Sequence, residues 1–378
     1  QLEASCHLIF APKTCYSPQE ASPEKIWGYA AQLYSLKSET NLGMGDFGDL
    51  LGLVEKSAAQ GASAIGLNPL HPLYQNNSAH RSPYSPTSRC FLNVLYIDVT
   101  QVPDVDKCQS AKTLMATDTF KDKVAYAKSC ELIDYPAVAD VKYQLLELLF
   151  VDFNTTKDSG LNAEFEAFKS EQGEDLLRLT TFDALYEHFR KLDFNAYGWK
   201  AWPEAYQNHD SAEVAAFQQD HADRIDYFAY LQWLAHRQLS NVAQVASDSG
   251  MPVGLYLDLA VGCDGSGVDV WSDREVYVSG AAVGAPPDAM NVLGQDWGLT
   301  PINPVALQEQ GYQPLVKALR SNMQYAGALR IDHILGLMRQ YWVAPGMKAD
   351  EGVYITFPLE AILRIIALES RRSECVVI

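Results

Sequence analysis

Arg330 and Asp332 stand two residues apart where the apolar run Ala328 to Asp332 (ALRID) turns charged. On a strand, residues i and i+2 share a face. A guanidinium beside a carboxylate holds it ionised, and a carboxylate kept charged at neutral pH can act as a nucleophile. His333 follows and can donate to a hydroxyl or a carboxylate. A bare Arg-x-Asp is, taken alone, more often an ion pair closing a strand end. Two further polar groups stand near strand ends. Tyr84 lies in the loop after a second apolar run, and Asp258 ends the run Pro252 to Asp258 (PVGLYLD). In a β/α barrel, the C-terminal strand ends build the active site, so all of these are candidates.

Residues 284–299 (GAPPDAMNVLGQDWGL) read as a stiff loop with two prolines, three glycines and one aromatic. The Trp297 face can stack on a sugar ring, and Asp288 and Gln295 can bind hydroxyls. A tryptophan that plugs the core is an equal reading of the same loop. Other groups have a plainer explanation. His71, His80, His209 and His221 show no metal-ligand spacing, and read as solvated or structural. Gly43-Met44-Gly45 lacks the further glycine and lysine of a phosphate loop. The acidic runs Glu171–Asp175 and Asp220–Asp226 read as solvated helix faces.

These residues need elements to hold them. Trp27 to Leu36 reads as a first strand, and a helix starts at an Asp46 N-cap, with Gly61 as its stop. Ala62 to Leu67 is the second strand, so the order is β–α–β. Residues 68–94 form a long polar loop, a functional-loop candidate, and Leu95 to Val99 reads as another strand. Helical patterns fill 141–150, 161–192 and 212–240. Strands return at 252–258 and 328–332, with helices at 314–325 and 358–370, and a last strand begins at Val376. The expected division is a linker over 1–25, two barrel strands with the long loop over 26–129, a mainly helical insertion over 130–240, and strands three and four with the start of a fifth over 241–378.

Composition bounds the function. The chain has 378 residues, 48% of them hydrophobic, enough for a sizeable core. Its 29 Lys and Arg against 47 Asp and Glu give a net charge of −18, which disfavours nucleic acid and anionic membrane as partners. Seven scattered cysteines without a CxxC pair argue against a disulfide framework or zinc site and fit a reducing cytoplasm. No apolar run reaches the length of a membrane span, and no leader pattern opens the chain. Gln1 and the apolar end Cys375-Val376-Val377-Ile378 read as cuts rather than natural termini.

Six segments together resemble one family, the 4-alpha-glucanotransferases (amylomaltases, or disproportionating enzymes) of glycoside hydrolase family 77 in the alpha-amylase clan. In order they are GYAAQLYSLKSETNLGMGDFGDL, GASAIGLNPLHPLY, SPYSPTSRCFLNVLYIDV, GLYLDLAVG, GAPPDAMNVLGQDWG and GALRIDH. The resemblance implies a (β/α)8 TIM barrel with insertions, truncated here at the start of the fifth strand. It implies a retaining mechanism, no metal or organic cofactor, and maltooligosaccharide or starch/glycogen-type glucans as donor and acceptor. By the same resemblance Asp332 matches the nucleophile, Arg330 the arginine that orients it, and Tyr84 the aromatic on the donor sugar. Asp288, Gln295 and Trp297 match the loop that shapes the glucan subsites. Asp258 lies in a matching segment without an assigned role.

A retaining mechanism needs two carboxyl groups about 5–5.5 Å apart. The family's general acid/base glutamate and its stabilising aspartate belong to segments that the resemblance places beyond Ile378, so the chain alone is expected to be inactive, and poorly stable as half a barrel. An α-glucan hydrolase of the same clan and a non-catalytic glucan-binding remnant are the alternatives.

Overall fold

A computed structural model describes residues 7–156 and 158–378 of the chain. Five parallel strands form its central sheet: β1 (Gly28–Ala31), β2 (Ala64–Leu67), β3 (Gly254–Leu259), β7 (Ala328–Ile331) and β10 (Val376–Val377), side by side in that order. Parallel neighbours need crossovers, and helices supply them. The first is Phe47–Ala59. Asp46 caps it by accepting from the amides of Gly48 and Asp49, and the chain leaves it through Gly61 at φ +82°, as the Asp46 and Gly61 signals predicted.

The sheet has two unlike faces. Ile65, Leu67, Leu255, Leu257, Leu259 and Leu329 are buried in the main core against the helices. On the other face, Gly66 leaves room for Tyr256, whose ring would lie 3.2 Å from an added Cβ there. Tyr256 is half-buried and shares this face, by the alternation of side chains along a strand, with Asp258.

Residues 135–248 are mostly helix: Tyr135–Thr156, Ser159–Leu192 (kinked at Gly173), Ala212–Asp220 and Ala222–Asp248. Arg224 ties three of these together, pairing with Glu147 at 2.5 Å and with Glu187 at 2.6 Å. The strand expected at Leu95 to Val99 is instead two single 3-10 turns, Val94–Tyr96 and Val99–Gln101. Among the described residues no strand pairs with this segment. The fully buried Lys142 takes its carbonyls, donating to Leu95 O and Ile97 O at 2.8 Å each. The first strand is also shorter than its apolar run. It stops at Ala31 and continues as the turn Leu33–Ser35.

A second sheet has no counterpart in the sequence reading. β4 (Cys263–Asp264), β5 (Ala282–Ala285), β6 (Gln295–Thr300), β8 (Arg339–Val343) and β9 (Val353–Thr356) pair antiparallel in the order β4-β6-β5-β8-β9. They come from the two long segments that leave the C-terminal ends of β3 and β7. The expected stiff loop of 284–299 is therefore the β5–β6 hairpin. Its strands are short, glycine-bearing and bulged between Val283 and Gly284, so no clean period-two pattern marks them.

Candidate active site

Strand register builds the centre of the site. β3 and β7 pair so that Asp258 lies opposite Arg330. Arg330 Nη1 donates to both carboxylate oxygens of Asp258, at 2.8 and 2.9 Å, and its Nη2 donates to Asp332 Oδ1 at 2.5 Å. One guanidinium thus bridges two carboxylates. Asp332 lies just past the end of β7, yet its amide still donates to Leu259 O at 3.2 Å. His333 follows in the left-handed region (φ +53°), an uncommon backbone for a non-glycine residue. It turns the chain sharply away after the carboxylate.

The other candidates gather unevenly around this bridge. Tyr84 is 45% exposed, and its hydroxyl reaches Asp258 Oδ2 at 3.5 Å, the outer limit of a hydrogen bond. The Trp297 ring meets the His333 imidazole edge-on at 5.1 Å, and Trp297 Nε1 donates to Gln295 Oε1 at 3.2 Å. Trp297 is therefore half-buried beside the site rather than a core plug. Asp288 is exposed, and its Oδ1 accepts from the amides of Met290 and Asn291 at 2.7 and 2.6 Å. Those contacts belong to its own turn, not to the Arg330 bridge. A cleft beside Asp332 is lined by Leu259, Ala260, Thr300, His333 and Phe357, among others.

Burial pushes the Asp258 carboxyl above its ordinary range. The bonds and charge of Arg330 oppose this, and the neighbouring Asp332 adds to it. Those same bonds, to Asp258 first, hold the guanidinium firmly charged. Burial pushes the His333 imidazole down against the pull of Asp332, which favours a neutral ring at pH 7. Burial and Asp258 push the Tyr84 phenol up, so it stays a hydrogen-bond donor.

Sequence reasoning missed the layer beneath. Arg89 is buried, and its Nη1 donates to Ala260 O and Val261 O at 3.3 and 3.2 Å. The amide of Ala260 donates to His71 Nε2 at 3.3 Å. These two side chains clamp the peptide that leaves β3, one residue past Leu259. His71 is structural, as its lack of ligand spacing implied, and burial together with Arg89 drives its pKa down to about 3. An arginine in a polar loop carries no sequence signal of such burial, because its acceptors are carbonyls 171 and 172 residues away.

Among the described residues no group of three or more His, Cys, Asp or Glu is arranged to hold a metal ion. None of the described helices is long and apolar enough to cross a membrane. The described cysteines Cys15, Cys90, Cys108, Cys130, Cys263 and Cys375 are free thiols. Cys6 lies outside the described residues.

Parallel strands whose C-terminal ends present an Arg-bridged carboxylate pair, beside the exposed Tyr84 and the half-buried Trp297, define an α/β protein with its candidate site at the strand ends. The family model for 4-alpha-glucanotransferase matches residues 31–378, and the chain belongs to that family. It is 39% identical over 377 residues to the 4-alpha-glucanotransferase of Haemophilus influenzae, covering 98% of this chain and 54% of that protein. It is 34% identical over 385 residues to that of Mycobacterium tuberculosis, covering 100% of this chain and 51% of that protein. The crystal structure of amylomaltase from Corynebacterium glutamicum superposes with a TM-score of 0.83 at 30% identity, over 97% of this chain and 49% of that one. An amylomaltase from Streptococcus agalactiae in complex with acarbose shares the fold at a TM-score of 0.77 and 19% identity, over 94% and 68%. The chain spans about half the length of the curated relatives it matches.

Proposed function

We propose that this chain is the nucleophile-bearing part of a 4-alpha-glucanotransferase, which moves α-1,4-glucan segments between maltooligosaccharides by a retaining double displacement. Asp332 is the nucleophile. Arg330 aims it through Nη2, while Asp258 anchors Arg330 from the other side. Tyr84 stacks on the donor sugar. Gln295, Trp297 and His333 line the glucan path, and Asp288 shapes the β5–β6 turn. The five parallel strands are one side of a (β/α)8 barrel.

The single observation that carries this reading is the Arg330 bridge. Asp332 spends one oxygen on Nη2, whereas both oxygens of Asp258 are engaged by Nη1. Of the two carboxylates, only Asp332 keeps an oxygen outside the bridge. Retaining transfer also needs a second carboxyl about 5–5.5 Å away that protonates the leaving glucan. Both oxygens of Asp258 already accept from Arg330, so we assign the acid/base to another segment of the whole protein. A second glucan's 4-hydroxyl must then reach the glycosyl-enzyme before water does, and apolar surface over the site helps by excluding water.

The test is disproportionation of maltotriose by the whole protein, followed by mass spectrometry of chain lengths. Glucose together with chains longer than maltotriose is the expected product set, and D332N should abolish both. Steady release of glucose and maltose without longer chains would assign a hydrolase instead.

A further inference from the structure

Arg89 is a buried cation, 7% exposed, and among the described residues no carboxylate pairs with its guanidinium. Nη1 donates to Ala260 O and Val261 O. Nε is buried without a partner, and Nη2 makes no hydrogen bond among the described residues. Asp269 takes the Arg89 backbone amide and the Cys263 thiol instead, each at 3.1 Å. Asn322 holds the Arg89 carbonyl, donating from Nδ2 at 2.9 Å. The residue is therefore tied on both sides of its backbone, and the Nε–Nη2 edge of the guanidinium is left without an acceptor. A buried donor edge on a charged group is costly unless an oxygen meets it.

Arg89 lines a cleft of about 90 Å³ that lies behind the Arg330 bridge. Leu259 and Ile331 line it too. By strand alternation these two point away from the face that carries Asp258 and Arg330. The cleft is thus on the helix side of β3 and β7, apart from the glucan path. Its other walls include Leu307, Leu315, Leu337, Phe357 and Ile362, from the helices and turns that follow β6, β7 and β9. Asp332 and His333 border it, and the charge of Asp332 is already engaged by Arg330.

A guanidinium edge at one end of an apolar cleft is the chemistry that recognises an aliphatic carboxylate. The carboxylate oxygens meet N–H donors, and the alkyl chain meets leucine, isoleucine and phenylalanine side chains. The volume is roughly that of three waters, which suits a short chain and excludes a long one.

We propose that this cleft binds a short-chain aliphatic monocarboxylate, of butyrate size, on Arg89. An occupant would touch Ile331 and Leu337, which stand on either side of Asp332 in the chain, and so would slow glucan transfer without competing for glucan. That second step rests on the reading of Asp332 as the nucleophile; the binding itself does not.

Binding of butyrate to the chain as it stands is measured by calorimetry, beside n-butanol and acetate at matched ionic strength. Butyrate should bind with a Kd on the order of 1 mM, as its few heavy atoms allow. The alcohol lacks the charge and acetate lacks most of the chain, so each should bind about tenfold more weakly or worse. R89Q should remove the preference for butyrate over n-butanol. L337W, which fills the cleft and leaves Arg89 in place, should abolish butyrate binding, and it carries the test if R89Q fails to fold. No butyrate binding by the wild type, equal binding of butyrate and n-butanol, or equal binding of butyrate and acetate overturns the proposal. In the whole protein, butyrate at a concentration equal to its Kd should lower kcat for maltotriose disproportionation about twofold with KM unchanged, in proportion to occupancy. Binding without that inhibition overturns the link to Asp332. A whole protein that shows no disproportionation even without butyrate would sink the glucanotransferase reading, and calorimetry alone then decides the Arg89 site.

Discussion

Leu255, Leu257 and Leu259 of β3 are all buried, whereas Val353 and Tyr354 of β9 are exposed. The contrast runs through the two sheets. In the parallel sheet, β3 is held by a neighbour on each side and its leucines pack on helices. The antiparallel sheet leaves its hairpin tips open: Met290 is 92% exposed, with Val292 and Leu293 also exposed. The groups of the Arg330 bridge sit on or directly after the first sheet, and Gln295 and Trp297 sit on the second. Chemistry needs atoms held to a few tenths of an ångström, and a buried register provides that. The proposed glucan path along the second sheet would gain from openness and exposed apolar area.

The comparison is tested hardest at its rigid end. D332N should lower kcat/KM of the whole protein for maltotriose by on the order of 10⁴-fold or more, since removing the proposed nucleophile removes the covalent route. W297A should cost less than tenfold, read mainly in KM. Comparable losses from the two would erase the division of labour between the sheets. In urea unfolding, L257A should lose about 2–5 kcal/mol, the usual range for a leucine deleted from a core. The exposed triple change M290S, V292S and L293S should stay within about 0.5 kcal/mol of wild type.

Acid provides a sharper probe of the buried layer. His71 has a folded-state pKa of about 3 against an ordinary value of 6.5. Below about pH 6.5 the unfolded chain binds a proton that the folded chain refuses, so stability falls as pH drops from about 6.5 towards about 3. At pH 5 the loss from this one group should be about 2 kcal/mol. H71Q should flatten that slope in unfolding curves taken between pH 7 and pH 5. A further probe belongs to the mouth of the site. Y84A should weaken maltotetraose binding about tenfold, and Y84F should bind nearly as well as wild type, since the proposed contact is made by the ring and the hydroxyl bond is long. Equal losses for Y84A and Y84F would shift the role of Tyr84 from its ring to its hydroxyl.

The parallel half of the molecule was legible in the chain because its signals are local. Asp46 caps the first helix within three residues, the helix ends near its glycine, and apolar runs mark β2, β3 and β7. The spacing of Arg330 and Asp332 placed both on one side of a strand end, and their 2.5 Å contact follows from it. What only the tertiary structure decided depends on partners distant in sequence. The register of β3 on β7 brings Asp258 across 72 residues to Arg330. The clamp of Arg89 and His71 on Ala260 spans more than 170 residues, and Lys142 takes the carbonyls that an expected strand would have paired. The second sheet formed from short, bulged, half-exposed strands, because each needed only a neighbour's backbone and left little hydrophobic pattern behind. Local propensity and periodicity fix caps, helices and buried strands. Register, buried polar satisfaction and antiparallel pairing at an open surface are settled by whatever the folded chain brings alongside.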